Sequence, residues 1–164
     1  MSRAEEPRLE RATPSDAARV WAIQRTAFEE YLGVQNPAPS VWRAGVSDVE
    51  VWLRDGGGVL AWLGGMLVGS VVWSYRGPVF YVQHVAVHPD YRRRGLATRM
   101  MAWVESEAQR SGYSQLALRI RSAQTGNQAL YESLGFVVTD TAPHPLGGPE
   151  TLTRMEKQLA MTMP

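Results

Sequence analysis

The sequence predicts a mixed α/β (α+β) domain in which helices flank one central, mostly antiparallel twisted sheet. Three observations predict it. Val59 to Leu63 and Met66 to Tyr75 are apolar, β-branched runs joined by Gly64-Gly65, a pair suited to a two-residue hairpin turn. Leu96, Met100, Trp103, Val104 and Ala108 share one face of a helix expected from about Leu96 to Ser111. Along the chain, a strand, two helices, a run of strands, a helix, a strand, a helix and two strands follow in order, which calls for one sheet covered by helices. The 164 residues, 45% of them apolar, fit one domain over 1–164, long enough to bury a core.

The elements can be justified in turn. Arg8 to Ala12 reads as a first strand. Thr13-Pro14-Ser15-Asp16 looks like a helix start, with Thr13 as N-cap and Pro14 at the first helical position. Ala17, Val20, Trp21, Ala27, Phe28 and Tyr31 then recur at helical spacing. Pro37 and Pro39 make Gly33 to Gly45 a loop, and Ser47 to Arg54 a short helix stopped by Gly56-Gly57-Gly58. After the hairpin and the turn Arg76-Gly77-Pro78, Val79 to His88 is a long strand ended by Pro89. Gly112 suits the end of the following helix. Leu116, Leu118 and Ile120 alternate with Ala117, Arg119 and Arg121, giving a strand with one apolar side. Asn127 to Leu134 is a short helix before Gly135. Phe136 to Thr139 and Thr151 to Leu159 close the sheet around the Pro- and Gly-rich stretch Ala142 to Pro149.

Composition excludes several functions. A net charge of +1 gives no overall field towards nucleic acid or anionic lipid. The absence of cysteine removes disulfides, thiolate metal sites and cysteine nucleophiles. His84, His88 and His144 are scattered without carboxylates at ligand spacing, so no metal is expected. Met1 to Arg11 has no apolar core of a signal peptide, and no apolar run is long enough to span a membrane; a cytoplasmic address follows as the default.

The most informative stretch is Val85-Ala86-Val87-His88-Pro89-Asp90-Tyr91-Arg92-Arg93-Arg94-Gly95-Leu96-Ala97-Thr98. A strand ends, a basic loop follows, and a long helix begins. The first N–H groups of a helix have no internal partner and lie at its positive end, so they suit an anion such as a pyrophosphate. Gly95 lets the backbone approach a phosphate, Ala97 keeps the first turn thin, and Arg92, Arg93 and Arg94 add positive charge. No Gly-Lys-Ser/Thr follows, so this is not a P-loop, and the glycines of a dinucleotide fingerprint are missing.

Arg92-Arg93-Arg94-Gly95-Leu96-Ala97 resembles the acetyl-CoA loop of the GNAT superfamily of N-acetyltransferases, Arg/Gln-x-x-Gly-x-Gly/Ala. Val85-Ala86-Val87-His88-Pro89 resembles the strand that enters it, and Asn127-Gln128-Ala129-Leu130-Tyr131-Glu132-Ser133-Leu134-Gly135-Phe136 a second family motif. The resemblance covers roughly 8–159. It implies a GNAT-like acyl-CoA N-acyltransferase fold and transfer of an acetyl group from acetyl-CoA to a primary amine of a small molecule or peptide by direct attack in a ternary complex. It also implies that backbone groups of Val85, Ala86 and Val87 line the pantetheine, that residues from Arg92 to Thr98, Gly95 and Leu96 among them, cradle the pyrophosphate, and that Asn127 hydrogen-bonds the cofactor. Tyr131, four residues from Asn127 and on the same helical face, is implied as the acid for the departing thiolate. An amide from Val85 at the acetyl oxygen would supply an oxyanion contact of the kind worth ~3 kcal/mol. Family members often form homodimers.

Many members carry a glutamate where this chain has Gln83, which cannot take a proton. Tyr81 shares the strand parity of Gln83, whereas His84 should point the other way. Gln83, Tyr81 or a backbone carbonyl is therefore expected to orient a water relay, unless the enzyme takes the neutral fraction of its amine. Trp21, Trp52, Trp73 and Trp103 read as core; Trp42, in the Pro-rich loop, is the tryptophan best placed to meet a substrate, though core packing is the favoured reading there too. Glu29, Glu30, Asp48, Glu50 and Asp55 could attract a cationic amine, though such carboxylates are usually just solvated. Two rival readings remain: a non-catalytic acyl-CoA sensor of the same fold, kept open by Gln83, and a nucleic-acid patch made by Arg92 to Arg94 with Arg99, Arg119 and Arg121. Near-neutral charge argues against the second.

Overall fold

The computed structural model describes residues 6–33, 35 and 37–160. Seven strands form one sheet in the order β1-β2-β3-β4-β5-β7-β6. They are β1 (Arg8–Ala12), β2 (Gly57–Leu63), β3 (Met66–Arg76), β4 (Val79–Val87), β5 (Gln115–Arg121), β6 (Val137–Pro143) and β7 (Thr151–Gln158). Every neighbouring pair is antiparallel except β4 and β5. The helices are α1 (Ala17–Phe28), α2 (Val46–Asp55), α3 (Leu96–Arg110) and α4 (Thr125–Ser133).

Alternation along the strands feeds two cores, one on each face. Val59, Val71, Trp73, Phe80, Val82, Leu116, Leu118 and Met155 bury one face under Leu96, Met100, Val104 and Ala108 of α3. Leu60, Val72 and Ala12 bury the other under Ala17 and Val20 of α1 and Val49 and Leu53 of α2. Both faces are therefore greasy in the middle strands, while β6, at the edge, is exposed along its whole length. A sheet covered on both sides needs near-continuous apolar runs at its centre, and β3 supplies one, buried from Val68 to Trp73 and interrupted only by Gly69 and Ser70.

Local chemistry sets the helix ends. The α1 entry differs in detail from its sequence reading: Thr13 caps a 3₁₀ turn over Pro14–Asp16, and the α-helix starts at Ala17. Asp16 closes the turn by accepting from the Thr13 N–H at 2.8 Å. Asp48 does the same for α2, accepting from the Gly45 N–H at 2.7 Å. Glu107, buried in α3, is held by Arg11 and Arg110, which offsets the cost of burying its charge. Among the described residues no helix is long and apolar enough to cross a membrane.

Candidate active site

β4 and β5 pair only at their roots, Phe80 with Leu116 and Tyr81 with Ala117. β4 then runs on to Val87 and β5 to Arg121 without meeting, so a wedge opens between two parallel strands. The backbone groups along a strand alternate between its two neighbours. The His88 N–H is donated to the Val68 carbonyl of β3 at 2.8 Å, so those of Val87 and Val85 point into the wedge. An unpaired strand edge with polar groups at every second residue suits an extended ligand that carries amides of its own. The cavity here, about 430 Å³, is lined by Val82, Gln83, His84 and Val85 on one wall and Leu118 to Arg121 on the other. Ala86 faces Ser70 and is buried, and Val87 packs on the α3 core.

A β-bulge re-aims β4 within this site. Gln83 pairs with Val72 and Ala86 with Ser70, so β4 carries one more residue than β3 over that interval. His84 absorbs the extra residue at φ +51, the left-handed region that histidine enters more readily than a branched side chain. The expectation that His84 points away from Gln83 is thereby corrected. Val72, across from Gln83, lies in the core beneath α1 and α2, and the His84 ring stacks on Trp52 of α2 with centroids 5.0 Å apart. Both side chains line the cavity, as does Tyr81. Burial lowers the imidazole pKa to about 4, so His84 is neutral at physiological pH.

The loop before α3 has the shape an anion needs. Arg93 and Gly95 both take positive φ, +63 and +76, and curl the chain so that successive N–H groups converge. Arg99 N–H to the Gly95 carbonyl, 3.0 Å, is the first bond of the helix, which leaves the N–H groups of Leu96, Ala97 and Thr98 ahead of the ladder. Arg92 to Gly95 and Thr98 are exposed, Ala97 is partly so, and only Leu96 is turned into the core. A Cβ placed on Gly95 would meet nothing within 4 Å. The three arginines differ in kind. Arg92 donates to the Ala27 carbonyl at 2.8 Å and pairs with Glu30, so its guanidinium fastens the loop to α1. Arg94 lies over Tyr91, 4.9 Å from the ring centre.

Tyr131 and Asn127, one turn apart on α4, close the wedge from the side. Tyr131 is 6% exposed and meets Phe136 edge-on at 5.8 Å, so it belongs to the core and to the cavity at once. Burial raises its pKa above the ordinary phenol value, which keeps it protonated. Asn127 donates to the Gln124 side chain at 3.0 Å.

On the acceptor side, the residues that could have met a substrate are occupied elsewhere. Trp42 donates to the Phe28 carbonyl at 3.4 Å and carries Arg25 on its ring, and it does not line the cavity; its neighbours Val41 and Arg43 do. The acidic residues are also elsewhere: Glu30 is paired with Arg92, Asp48 caps α2, and Asp55 pairs with Arg54. Arg119 and Arg121, considered above for nucleic acid, instead line the cavity with Arg43 and Arg76, two residues that sequence reasoning missed. Among the described residues no group of three or more histidines, aspartates and glutamates could hold a metal.

A mixed seven-stranded sheet with a parallel wedge beside an open helix start defines the class of fold, and comparison with known proteins identifies it. The acetyltransferase (GNAT) family profile matches residues 18–136. The chain belongs to that family. An acetyltransferase of Yersinia pestis is 31% identical over 83 residues, a stretch spanning 51% of this chain and 59% of that protein. Two solved structures share the fold. The ribosomal-protein-S18-alanine N-acetyltransferase of Escherichia coli superposes with a TM-score of 0.71 at 19% identity, covering 96% of both chains. A proposed acetyltransferase from Salmonella typhimurium, solved with its cofactor acetyl-CoA, gives 0.75 at 21% over 96% of both.

Proposed function

We propose that this protein, as one domain over 1–164, transfers the acetyl group of acetyl-CoA to a primary amine by direct attack in a ternary complex. The wedge between β4 and β5, set beside the open start of α3, carries the reading. It offers two strand edges to an amide-bearing arm and a ring of free N–H groups to a diphosphate, and family membership supports that ligand. In this reading the amides of Arg93 to Thr98 hold the phosphates, and those of Val85 and Val87 hold the pantetheine arm. The Val85 N–H faces the thioester oxygen, where charge develops as the amine attacks.

Tyr131 donates a hydrogen bond to the leaving sulfur. Because burial makes its proton harder to remove, stabilising the thiolate is the larger part of its role and complete transfer the smaller. Tyr131→Phe keeps the ring against Phe136 and removes only the hydroxyl. Steady-state assays of thiol release should show kcat reduced roughly 10–100-fold, at or below the bottom of the usual range for a positioned acid because transfer is incomplete, with KM for acetyl-CoA nearly unchanged. An unaltered kcat would remove Tyr131 from the chemistry. Binding of acetyl-CoA without thiol release against any amine would instead favour the sensor reading that Gln83 keeps open.

The proton of the attacking ammonium has no strong base waiting for it. His84 is neutral but weak, at about 4. His144 is also shifted down, by burial first and then by Arg121 and Arg43, against an opposite push from Glu150. Gln83, an amide, and the Tyr81 hydroxyl can orient water. The pH profile should therefore belong to the acceptor. Log kcat/KM should climb with unit slope and level off at the amine's own pKa, the midpoint moving when amines of different pKa are compared. A midpoint fixed near 6–7 for every amine would instead reveal an enzymic base.

A further inference from the structure

We propose that the acceptor is a small amine that also carries a carboxylate, a free α-amino acid being the class that fits; this rests on the acetyltransferase reading and specifies its second substrate. The charge of the cavity wall is the ground for it. Arg43, Arg76, Arg119 and Arg121 line the cavity, and no aspartate or glutamate lines it among the described residues. A site for a polyamine or another purely cationic acceptor needs the opposite sign.

Arg76 and Arg119 are exposed at the cavity wall, and an aromatic ring positions Arg76 there. Tyr81 pairs across the sheet with Ala117, so Arg119 and Arg121, two and four residues further along β5, emerge on the face that carries Tyr81. Arg76 lies over the Tyr81 ring, 3.6 Å from its centre, which holds a planar fork at the cavity wall. Arg121 is largely buried and already matched by Glu150. Among the described residues Arg76 and Arg119 have no carboxylate within 4.0 Å, so their donors are left for a ligand. Guanidinium forks match a carboxylate in two parallel hydrogen bonds. Arg43 and Arg121 push the pKa of His144 down against an opposite push from Glu150, which places Arg43 and the Arg121–Glu150 pair around the β6–β7 loop at the cavity's far side.

Size points the same way. The 430 Å³ also has to accept the end of the pantetheine arm, which leaves room for an amino acid but not for an oligosaccharide. With its carboxylate on Arg76 and Arg119, such a ligand keeps its amine within a few bonds of the anchor, on the side where Gln83 and Val85 meet the wedge.

The test compares matched triplets: each amino acid, its carboxamide and its decarboxylated amine, assayed for thiol release with saturating acetyl-CoA. The amino acid should exceed both relatives at least 10-fold in kcat/KM for one or more side chains. Arg119→Gln and Arg76→Gln should each raise KM for the amino acid 10-fold or more, leave kcat within about twofold, and leave the carboxamide's kcat/KM unchanged. Thermal shift with coenzyme A alone should match the parent protein in both variants. Carboxamides or decarboxylated amines that react as well as the amino acids would overturn the proposal while leaving the acetyltransferase standing. So would variants in which selectivity for the carboxylate persists. Absence of both coenzyme A binding and thiol release in the parent protein would remove the underlying reading itself.

Discussion

Replacing Gly95 with valine is expected to weaken coenzyme A binding at least ~100-fold, about 2.7 kcal/mol, while the protein stays folded. The reason is conformational first. Gly95 sits at φ +76 as the N-cap of α3, a region a β-branched residue enters only at a cost of about 1–3 kcal/mol. The valine variant can escape that cost by leaving the left-handed region. The loop is exposed and a Cβ at Gly95 meets no protein atom within 4 Å, so the fold does not resist. What is lost is the convergence of N–H groups at Arg93 to Thr98, together with the open space that the added methyls would fill. Gly95→Asn separates the two effects, since asparagine tolerates positive φ: retained binding there would assign the loss in valine to backbone geometry, and equal loss would assign it to crowding. Calorimetric titration with coenzyme A, alongside melting curves, reads both. A valine variant that binds as well as the parent would place the diphosphate somewhere else.

The same loop shows which part of the proposed cofactor half leaves a mark in the sequence. A glycine before a helix of regular apolar period, with a β-branched strand just upstream, is a contiguous signal, and α3 begins at Leu96 as read. The bulge at His84 was not legible. One extra residue within a run of Val, Gln, His and Val leaves no mark in composition, and counting alternation across it puts every later side chain on the wrong face. Arg43, Arg76, Arg119 and Arg121 come from a loop before α2, the end of β3 and two positions of β5, and only the sheet order brings them to one wall. The alternation of Arg119 and Arg121 with Leu118 and Ile120 did show a polar side to β5, but nothing local says what faces it. At Trp42 the packing reading holds: a tryptophan in a Pro-rich loop could meet a substrate, but its N–H is taken by the Phe28 carbonyl of α1 and its ring by Arg25.

Gly56 should show the largest effect on stability. It was legible only as part of a helix-stopping glycine triplet, yet its structural demand is steric. A Cβ there would lie 2.0 Å from the Trp73 carbonyl oxygen, 3.0 Å from its carbon and 3.1 Å from the Ser74 Cα. All three are backbone atoms of β3, a middle strand whose Trp73 is fully buried, so no flexible side chain can move aside. Overpacking into rigid surroundings costs typically 1–3 kcal/mol and more when backbone must shift. Gly56→Ala should therefore lose ~3 kcal/mol or more, lowering Tm by roughly 10 °C for a chain of this size. The displacement would not remain local. Trp73 pairs with Val82 and Ser74 with Tyr81, and Tyr81 is where β4 and β5 part. The variant should thus also show a raised KM for acetyl-CoA at temperatures where it is still folded. Gly126→Ala is the matched control, because a Cβ on this α4 residue meets nothing within 4 Å and alanine favours the helix by roughly 0.5–1 kcal/mol. Its Tm should hold or rise. A Gly56→Ala protein that melts with the parent would mean that β3 yields more easily than its burial implies, and that the root of the wedge is softer than a fixed cofactor slot requires.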